Sequence, residues 1–239
     1  MLSSGRGQVI LKYTPPDLIV FDLDNTLYRY DVCHEEALKA VSDRVKFEYG
    51  IPAKRFLLEY ENSRSNVKSR IKGASSHNRL LYFLEWMSQF ELKLDLDVAV
   101  TLNDVYWATY FSQMKLPEGV EELFRKIRHR GIPTSLVTDQ VSEIQYRKLR
   151  VLKIERYFDN IVTSEECAGE KVSEEPFYLL FSRIRRKEFD CIWFIGDEIQ
   201  DWPTNVPATT KIFFASPFAR KAPRDVRKIH SYKDVCKLI

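Results

Sequence analysis

The feature that most constrains the fold is a short apolar run that ends in two carboxylates. Residues 18–21 read Leu-Ile-Val-Phe, and Asp22 and Asp24 follow them. Such a run is typical of a strand buried on both faces, and strand alternation places Asp22 and Asp24 on the same side. Two like charges there are costly unless a cation neutralises them, and Mg²⁺ prefers carboxylate oxygens. The stretch therefore predicts a Mg²⁺ site, although Asp and Asn also form simple polar turns.

Composition indicates an ordinary globular protein with one large domain, or a core domain and a smaller one. Of the 239 residues, 44% are apolar and 30% are charged. The 37 basic and 34 acidic residues leave a net charge of +3, which favours neither a nucleic acid nor a membrane as partner. No apolar run approaches the roughly 20 residues that are needed to cross a bilayer. Residues 1–16 lack the apolar core of a secretory signal peptide. We therefore expect a cytoplasmic protein with no nucleic-acid and no membrane partner.

The cysteines give no sign of a metal site or of a disulfide framework. The four cysteines are far apart in the chain, and none belongs to a C-x-x-C pair. Zinc sites and disulfide scaffolds normally show closely spaced pairs or a dense, regular set. Reduced thiols are therefore expected at Cys33, Cys167, Cys191 and Cys236.

Residues 31–112 have a helical pattern throughout. An amphipathic helix is expected at 35–49, and a second begins near Ala53. A polar stretch at 63–79 follows it. Helical character then returns at 80–87 and again from Leu96 to about Phe111. Nothing in this interval has the pattern of a strand.

After Leu116, strand and helix patterns alternate. A helix opens at Pro117 and ends near Gly131. Further helices are expected at about 141–152 and 174–186. The intervening segments have strand patterns, at residues 132–139, 160–164, 191–197 and 211–215. This alternation predicts a parallel sheet covered by helices on both faces.

The helical interval is too long to be a plain crossover between parallel strands. We therefore expect an α/β fold with a Rossmann-like parallel sheet core, flanked by helices, and an inserted all-helical cap domain. The core would comprise residues 13–30 and 113–239, and the cap residues 31–112. Residues 1–12 would form a flexible tail or an extra edge strand. Because open α/β sheets bind ligands at the carboxyl ends of their strands, the cap should cover the site.

Two further strand ends carry groups suited to an anion. One predicted strand ends in Thr138, and Asp139 follows where a helix begins, so a hydroxyl and free backbone N–H groups could cradle a phosphate. Lys171 lies in a loop between a strand and a helix, where its ammonium could neutralise a phosphate oxygen. Taken singly, Thr138 is better explained as an ordinary helix cap, and Lys171 as a solvated loop lysine.

A third strand ends in Gly196 and Asp197, and Asp201 follows four residues later. Gly196 permits close backbone approach. Asp197 is placed where it could share a metal ion with Asp22 and Asp24, and Asp201 could orient the ligands from behind. Acidic groups and a lysine at one edge of one parallel sheet favour a functional site over a set of unrelated turns.

In this order, the motifs resemble the haloacid-dehalogenase-like phosphohydrolase superfamily. The segments that carry the resemblance are DLDNTL, LVTD, a loop lysine before a helix with proline in its first turn, and GDEIQD. They cover roughly Asp17 to Phe214. Two positions depart from the family pattern. Val172 follows Lys171 in place of the customary proline, and WPTN follows Asp201 in place of a glycine-containing turn.

The resemblance implies a role for each motif residue. Asp22 is expected to be the nucleophile that forms an aspartyl-phosphate, and Asp24 the general acid and then the general base. An acid at position 24 argues against the dehalogenase branch of the family. The residues expected to bind the phosphoryl group are Thr138, Asp139 and Lys171. The implied Mg²⁺ ligands are Asp22, the backbone carbonyl of Asp24, Asp197 and Asp201.

Residues near the expected cap interface are candidates for substrate selection. Tyr28 lies just past the first motif, and Arg79 and His77 lie in the segment SSHNR. Arg79 could pair with a second anionic group and His77 with a sugar hydroxyl, or these residues could simply satisfy loops and caps. The resemblance implies a Mg²⁺-dependent phosphatase, as a monomer or weak homodimer, for a small phosphorylated metabolite such as a sugar phosphate, phosphoglycolate or a nucleotide. A phosphomutase and a non-catalytic binding or scaffold protein remain alternatives.

Overall fold

Six parallel strands form one sheet in the computed structural model, which describes residues 14–89, 96–167, 169–185, 188–198, 202–220 and 226–239. The strands are β1 Leu18–Phe21, β2 Thr134–Thr138, β3 Asn160–Thr163, β4 Phe189–Gly196, β5 Ala208–Ala215 and β6 Arg227–Lys228. Their order is β3-β2-β1-β4-β5-β6, and all neighbours pair in parallel. The expected parallel α/β core is confirmed. The predicted tail, residues 1–12, lies outside the described residues.

Seven of the eight described helices, all but α8, occupy intervals in which the sequence pattern indicated a helix. Those between β1 and β2 are α1 Tyr30–Tyr49, α2 Ala53–Arg70, α3 Arg79–Gln89 and α4 Leu96–Gln113. The later ones are α5 Val120–His129, α6 Ser142–Leu152, α7 Glu175–Arg183 and α8 Tyr232–Cys236. None of the described helices is long and apolar enough to cross a membrane.

The expected polar stretch at residues 63–79 is wrong in its first half, because α2 continues to Arg70. Ser63 and Val67 extend the buried stripe that Phe56 and Tyr60 begin, at the spacing of a helix face. Ser65, Asn66 and Ser69 are exposed and give the segment its polar pattern. Two other short elements, β6 and α8, were not predicted, since two and five residues are too few to show a period.

The four helices between β1 and β2 pack on one another. Helix α1 lies against α4, and α2 lies against α3. Aromatic side chains fill the space between these helices, among them Tyr60, Phe83 and Trp86, all of which are fully buried. These helices follow the carboxyl end of β1, as expected of a cap. The domain boundaries at residues 31 and 112 stay a prediction.

Strand β1 is buried on both faces, which fixes the position of the residues that follow it. Ile19 and Phe21 pack in one apolar layer with Phe124 of α5. Leu18 and Val20 pack in the opposite layer, which also contains α7. Because successive side chains of a strand alternate between faces, this four-residue strand contributes to both layers of the core. Burial of β1 therefore anchors the polar segment that begins at Asp22.

We expect Phe21→Ala to lower the free energy of unfolding by about 3–5 kcal/mol, since a buried aromatic ring is replaced by a cavity. The Phe21 ring lies 5.3 Å from Phe124 and 6.1 Å from Phe158, measured between ring centroids. Chemical denaturation of both proteins measures the difference. Phe47→Ala is the matched control, because Phe47 is 90% exposed, and its effect should stay within about 0.5 kcal/mol. Equal losses in the two variants would contradict this account of β1.

Candidate active site

The carboxyl ends of β1, β2 and β4 meet at one polar cavity of about 230 Å³. Since β1 lies between β2 and β4 in a parallel sheet, the residues that follow these strands converge at one edge. Tyr28 does not line the cavity, and Asp201 lies outside the described residues. The predicted site residues that line it are Asp22, Asp24, Thr138, Asp139, Lys171, Asp197, His77 and Arg79.

Asp22 is held in one orientation by hydrogen bonds to both carboxylate oxygens. Lys171 Nζ lies 2.6 Å from Asp22 Oδ1, and Thr26 Oγ1 donates to Asp22 Oδ2 at 3.0 Å. The Asp22 backbone N–H donates to the carbonyl of Ile195 at 2.9 Å, which continues the pairing of β1 with β4. The Asp22 carboxylate is therefore fixed at the cavity floor with a cation beside it.

Lys171 reaches Asp22 from a short 3₁₀ helix, Lys171–Ser173, and its side chain is buried. Its backbone N–H donates to Asp139 Oδ1 at 3.0 Å. The carboxylate of Asp139 thus supports the lysine, and as an anion it is unsuited to attract a phosphate directly. Val172 is 66% exposed. Valine at a position where the family pattern has proline therefore leaves the Lys171–Asp22 contact intact.

Thr138 ends β2 with its hydroxyl oriented by a glutamine from α6. Gln145 Nε2 donates to Thr138 Oγ1 at 2.6 Å and to the Asp139 carbonyl at 2.8 Å. Because Thr138 Oγ1 accepts this bond, its own hydrogen can be donated to another acceptor. Thr138 can therefore serve as a hydrogen-bond donor at the cavity floor.

Asp24, which is partly exposed to the cavity, forms an ion pair with Lys148 of α6. Lys148 Nζ lies 2.8 and 2.9 Å from the two carboxylate oxygens of Asp24, and the lysine side chain is fully buried. Burial by itself would raise the pKa of Asp24, but the Lys148 charge and hydrogen bonds from Lys148, Tyr28 and Gln145 outweigh burial and lower it. Asp24 is therefore ionised at neutral pH in this arrangement.

Tyr28 lies behind Asp24 and not in the cavity wall. Its side chain is fully buried, and its hydroxyl bonds to Asp24 Oδ1 and to the Tyr110 hydroxyl, 2.5 Å away. Burial and the charge of Asp24 raise the pKa of Tyr28 well above its usual value, so it stays protonated and can donate. Its position differs from the expected contact with substrate and favours a role in orienting Asp24.

The carboxylates of Asp22 and Asp197 fit a Mg²⁺ ion. Burial and the neighbouring charge of Asp22 raise the pKa of Asp197 to about 8, so these two carboxylates are short of positive charge. No set of three or more His, Cys, Asp or Glu side chains in the described ranges is arranged to hold a metal. Mg²⁺ commonly binds through one or two carboxylates and retains several waters. Asp22 and Asp197 are therefore the side chains of the cavity that could hold such an ion.

Gly196 allows an indole ring to cover the end of β4. A Cβ atom at this position would lie 2.9 Å from Trp202 Nε1 and 3.5 Å from Asp22 Cβ. Trp202 in turn stacks on Phe213, with ring centroids 4.6 Å apart. The WPTN segment thus packs Trp202 where the family pattern has a glycine-containing turn, and it leaves Asp22 and Asp197 accessible to the cavity.

His77 and Arg79 form part of the opposite wall, which comes from the helices between β1 and β2. His77 Nε2 lies 2.7 Å from Glu170 Oε1, and this contact joins the helical segment to the loop before Lys171. Burial lowers the pKa of His77, although Glu170 opposes the shift. Arg79 is buried and donates to the Tyr30 hydroxyl at 2.8 Å and the His77 carbonyl at 2.7 Å. Both residues are therefore held firmly in place.

The family profile described as haloacid dehalogenase-like hydrolase matches residues 16–205. The chain belongs to this family. It is 30% identical over 184 residues to the ribulose-1,5-bisphosphate 5-phosphatase of Halopiger xanaduensis, covering 76% of this chain and 77% of the relative. It is 25% identical over 186 residues to the glyceraldehyde 3-phosphate phosphatase of Methanocaldococcus jannaschii, covering 76% of each chain.

Solved structures of haloacid dehalogenase-like hydrolases share the fold. The magnesium-bound HAD-hydrolase YfnB of Bacillus subtilis superposes with a TM-score of 0.64 at 18% identity, covering 92% of this chain and 97% of that one. A 2-haloacid dehalogenase from Pseudomonas syringae superposes with a TM-score of 0.66 at 16% identity, covering 92% and 96%. At these identities the likeness establishes the architecture alone.

Lys148 and Gln145 were not predicted from the sequence. They lie three residues apart on the buried face of α6, whose pattern indicated only an amphipathic helix. A fully buried lysine is rare unless it is paired. The spacing of Lys148 from the apolar positions of α6 therefore indicates a buried and paired lysine. Its partner, Asp24, could be identified only from the fold.

We expect Lys148→Met to lower the free energy of unfolding by about 1–3 kcal/mol at pH 7, because it leaves the Asp24 carboxylate, which is 26% exposed, without its cation. Arg147→Met is the control, since the ion pair of Arg147 with Glu143 is exposed, and its loss should cost at most about 1 kcal/mol. Chemical denaturation measures both. The double variant with Asp24→Asn should lose less stability than the sum of the two single losses.

The loss in Lys148→Met should shrink as pH falls. In the native protein Asp24 has a lowered pKa, so its contribution is present above the ordinary value of 3.8 and disappears as pH falls through the folded-state pKa. In the variant, burial without a cation raises the pKa of Asp24, and protonation of Asp24 then relieves the cost. A loss that does not change between pH 7 and the ordinary pKa of Asp24 would contradict the ion pair as its cause.

Proposed function

We propose that this protein is a Mg²⁺-dependent phosphatase that hydrolyses a small phosphate monoester of the sugar-phosphate class, with Asp22 as nucleophile. The observation that carries the proposal is the fixed Asp22 carboxylate, 2.6 Å from Lys171 Nζ, at the floor of a polar cavity. Asp24, Thr138 and Asp197 line the same cavity. This set provides a nucleophile, an acid–base group, phosphate donors and metal ligands in one place.

The named relatives support this substrate class. One is called a ribulose-1,5-bisphosphate 5-phosphatase and another a glyceraldehyde 3-phosphate phosphatase, and each match covers about three quarters of this chain. Both names describe removal of a phosphate from a short sugar. A cavity of about 230 Å³ is several times the roughly 30 Å³ that one water occupies in the liquid. It therefore has room for part of a small metabolite.

In the first step of the proposed reaction, an Asp22 carboxylate oxygen attacks the phosphorus. A bond forms between Asp22 and phosphorus, and the bond from phosphorus to the leaving alcohol breaks. Thr138 donates its hydroxyl hydrogen and Lys171 an ammonium hydrogen to phosphoryl oxygens, which stabilises the charge in the transition state. Mg²⁺, held by Asp22, Asp197 and the backbone carbonyl of Asp24, would supply the positive charge that lets a carboxylate approach an anionic phosphate.

In the proposed sequence, Asp24 takes up a proton from solvent when the phosphate binds and gives it to the leaving alcohol. It afterwards takes a proton from the water that attacks the phosphorus, and the bond between Asp22 and phosphorus then breaks to release inorganic phosphate. The pairing with Lys148 lowers the pKa of Asp24 and so keeps it in the ionised form that can accept a proton in the second transfer. A bound phosphate dianion acts in the opposite direction, because a nearby negative charge raises the pKa of a carboxyl group. The bound substrate therefore makes Asp24 a better acid for the first transfer.

We expect wild-type protein to release phosphate from members of a panel of sugar phosphates, phosphoglycolate and nucleotides when Mg²⁺ is present. Removal of Mg²⁺ with a chelator should abolish this release. Asp22→Asn should lower kcat by about 10⁴-fold or more, since the nucleophile is lost while its shape is kept. The measurement is phosphate release under saturating substrate.

Asp43→Asn is the matched control, because Asp43 is an exposed aspartate on α1 and its loss should leave kcat unchanged. Retained Mg²⁺-dependent turnover in Asp22→Asn would contradict the role of Asp22. Conversion of a sugar phosphate to its isomer without net phosphate release would instead indicate a phosphomutase. A folded wild-type protein that is inactive on the whole panel would favour a binding role.

A further inference from the structure

The cavity has a second charged wall, opposite the carboxylates, that the proposed chemistry does not use. Arg64 and Lys68 of α2 and Arg79 at the start of α3 line this wall. Arg64 and Lys68 are four residues apart, so their side chains lie on one face of the helix. We call these three residues the cationic wall.

Lys68 is half-buried, and it has no hydrogen-bond or ion-pair partner within the part of the chain that the structure describes. Burial and the positive charges of Arg64 and Arg79 lower the pKa of Lys68. Glu170 attracts it, but the Glu170 carboxylate is already bound by His77. A half-buried ammonium beside two other cations is stabilised when an anion binds.

The two arginines of the cationic wall also keep donors for a ligand. A guanidinium has five N–H groups, and Arg79 uses some of them on Tyr30, His77 and Tyr106. These bonds hold the guanidinium in a fixed plane, which suits recognition of a phosphate. Arg64 pairs with Glu61 through Nη1 at 3.0 Å, and both side chains of that pair are substantially exposed. Such an exposed pair is weak and yields readily to a ligand.

The cavity therefore has two ends with different chemistry. At the sheet edge, the Asp22 and Asp197 carboxylates suit a cation, and Lys171 and Thr138 suit a phosphoryl group. At the opposite wall, Lys68 and its neighbouring arginines require an anion. A small molecule with an anionic group at each end satisfies both requirements at once, whereas a monophosphate satisfies only the first.

We infer that the cationic wall formed by Arg64, Lys68 and Arg79 binds a second phosphoryl group, so that the preferred substrate is a sugar bisphosphate. This inference rests on the proposed function for the chemistry at Asp22, although the wall is a binding site in its own right. The second phosphate does not react. It anchors the substrate while the first phosphate is placed against Asp22, which lowers KM and leaves kcat largely unchanged.

The test measures binding in a protein that does not turn over. Ribulose 1,5-bisphosphate and ribulose 5-phosphate are titrated into Asp22→Asn by calorimetry with Mg²⁺ present. The bisphosphate should bind at least about tenfold more tightly, the gain expected from charge-assisted hydrogen bonds to one more anion. Adding Lys68→Met should remove most of this advantage and leave binding of the monophosphate unchanged, which also shows that the variant is folded.

Two control variants test whether the effect comes from the positive charge of residue 68 or from the loss of any lysine on α2. Lys54→Met removes an exposed lysine of the same helix and should leave the bisphosphate advantage intact. Lys68→Arg should restore most of the advantage, because it retains the cation. Equal weakening of both ligands by Lys68→Met, or no weakening of either, would overturn the inference. 3-Phosphoglycerate carries a carboxylate that glycerol 3-phosphate lacks. If 3-phosphoglycerate binds more tightly than glycerol 3-phosphate by the same factor, and this gain also depends on Lys68, the assignment to phosphate is overturned and the wall binds a carboxylate.

Turnover by protein that retains Asp22 tests this inference and the proposed function separately. A Lys68-dependent binding advantage without phosphate release from either ligand would support the cationic wall and contradict the phosphatase. Phosphate release with equal kcat/KM values for the two ligands would support the phosphatase and overturn the bisphosphate assignment. If both proposals hold, Lys68→Met should lower kcat/KM for the bisphosphate about tenfold, through KM.

Discussion

Two buried lysines make the carboxylate cluster at the end of β1 possible. Lys171 pairs with Asp22 and Lys148 pairs with Asp24, and each lysine comes from a different part of the chain. Without them, two aspartates that follow a fully buried strand would carry uncompensated charge in a region of low dielectric constant. The pairs also connect β1 to α6 and to the loop before α7. The same contacts that stabilise this edge of the sheet therefore set the geometry of the candidate active site.

The two ion pairs give the two aspartates different surroundings. Asp22 lines the cavity with its carboxylate beside Asp197, so it is available to a metal ion and to a phosphoryl group. Asp24 is enclosed by Lys148, Tyr28 and Gln145, which fix its orientation and lower its pKa. Two carboxylates two residues apart thus differ in their surroundings, which is the basis on which the proposed mechanism assigns one as nucleophile and the other as acid–base group.

The sequence was sufficient to predict the parallel sheet and the edge at which the site lies. Apolar runs that alternate with amphipathic helices identify parallel strands, and the carboxyl ends of such strands converge, so the pattern alone places Asp22, Thr138 and Asp197 together. The contacts of Lys148 and Tyr28 could not be predicted this way. Lys148 meets Asp24 across 124 residues of chain, and whether a tyrosine faces a cavity or the core depends on packing. The continuation of α2 to Arg70 was obscured because its buried stripe includes Ser63.

In the proposed mechanism, Asp22 carries the phosphoryl group during turnover. The most direct measurement is rapid acid quench of the protein with Mg²⁺ and a hydrolysed sugar phosphate, followed by mass spectrometry of the peptide that contains residues 17–28. We expect one added phosphoryl group on Asp22 during turnover and none in Asp22→Asn. Steady phosphate release with Asp22 unmodified at every quench time, or with the phosphoryl group on another residue, would contradict this mechanism.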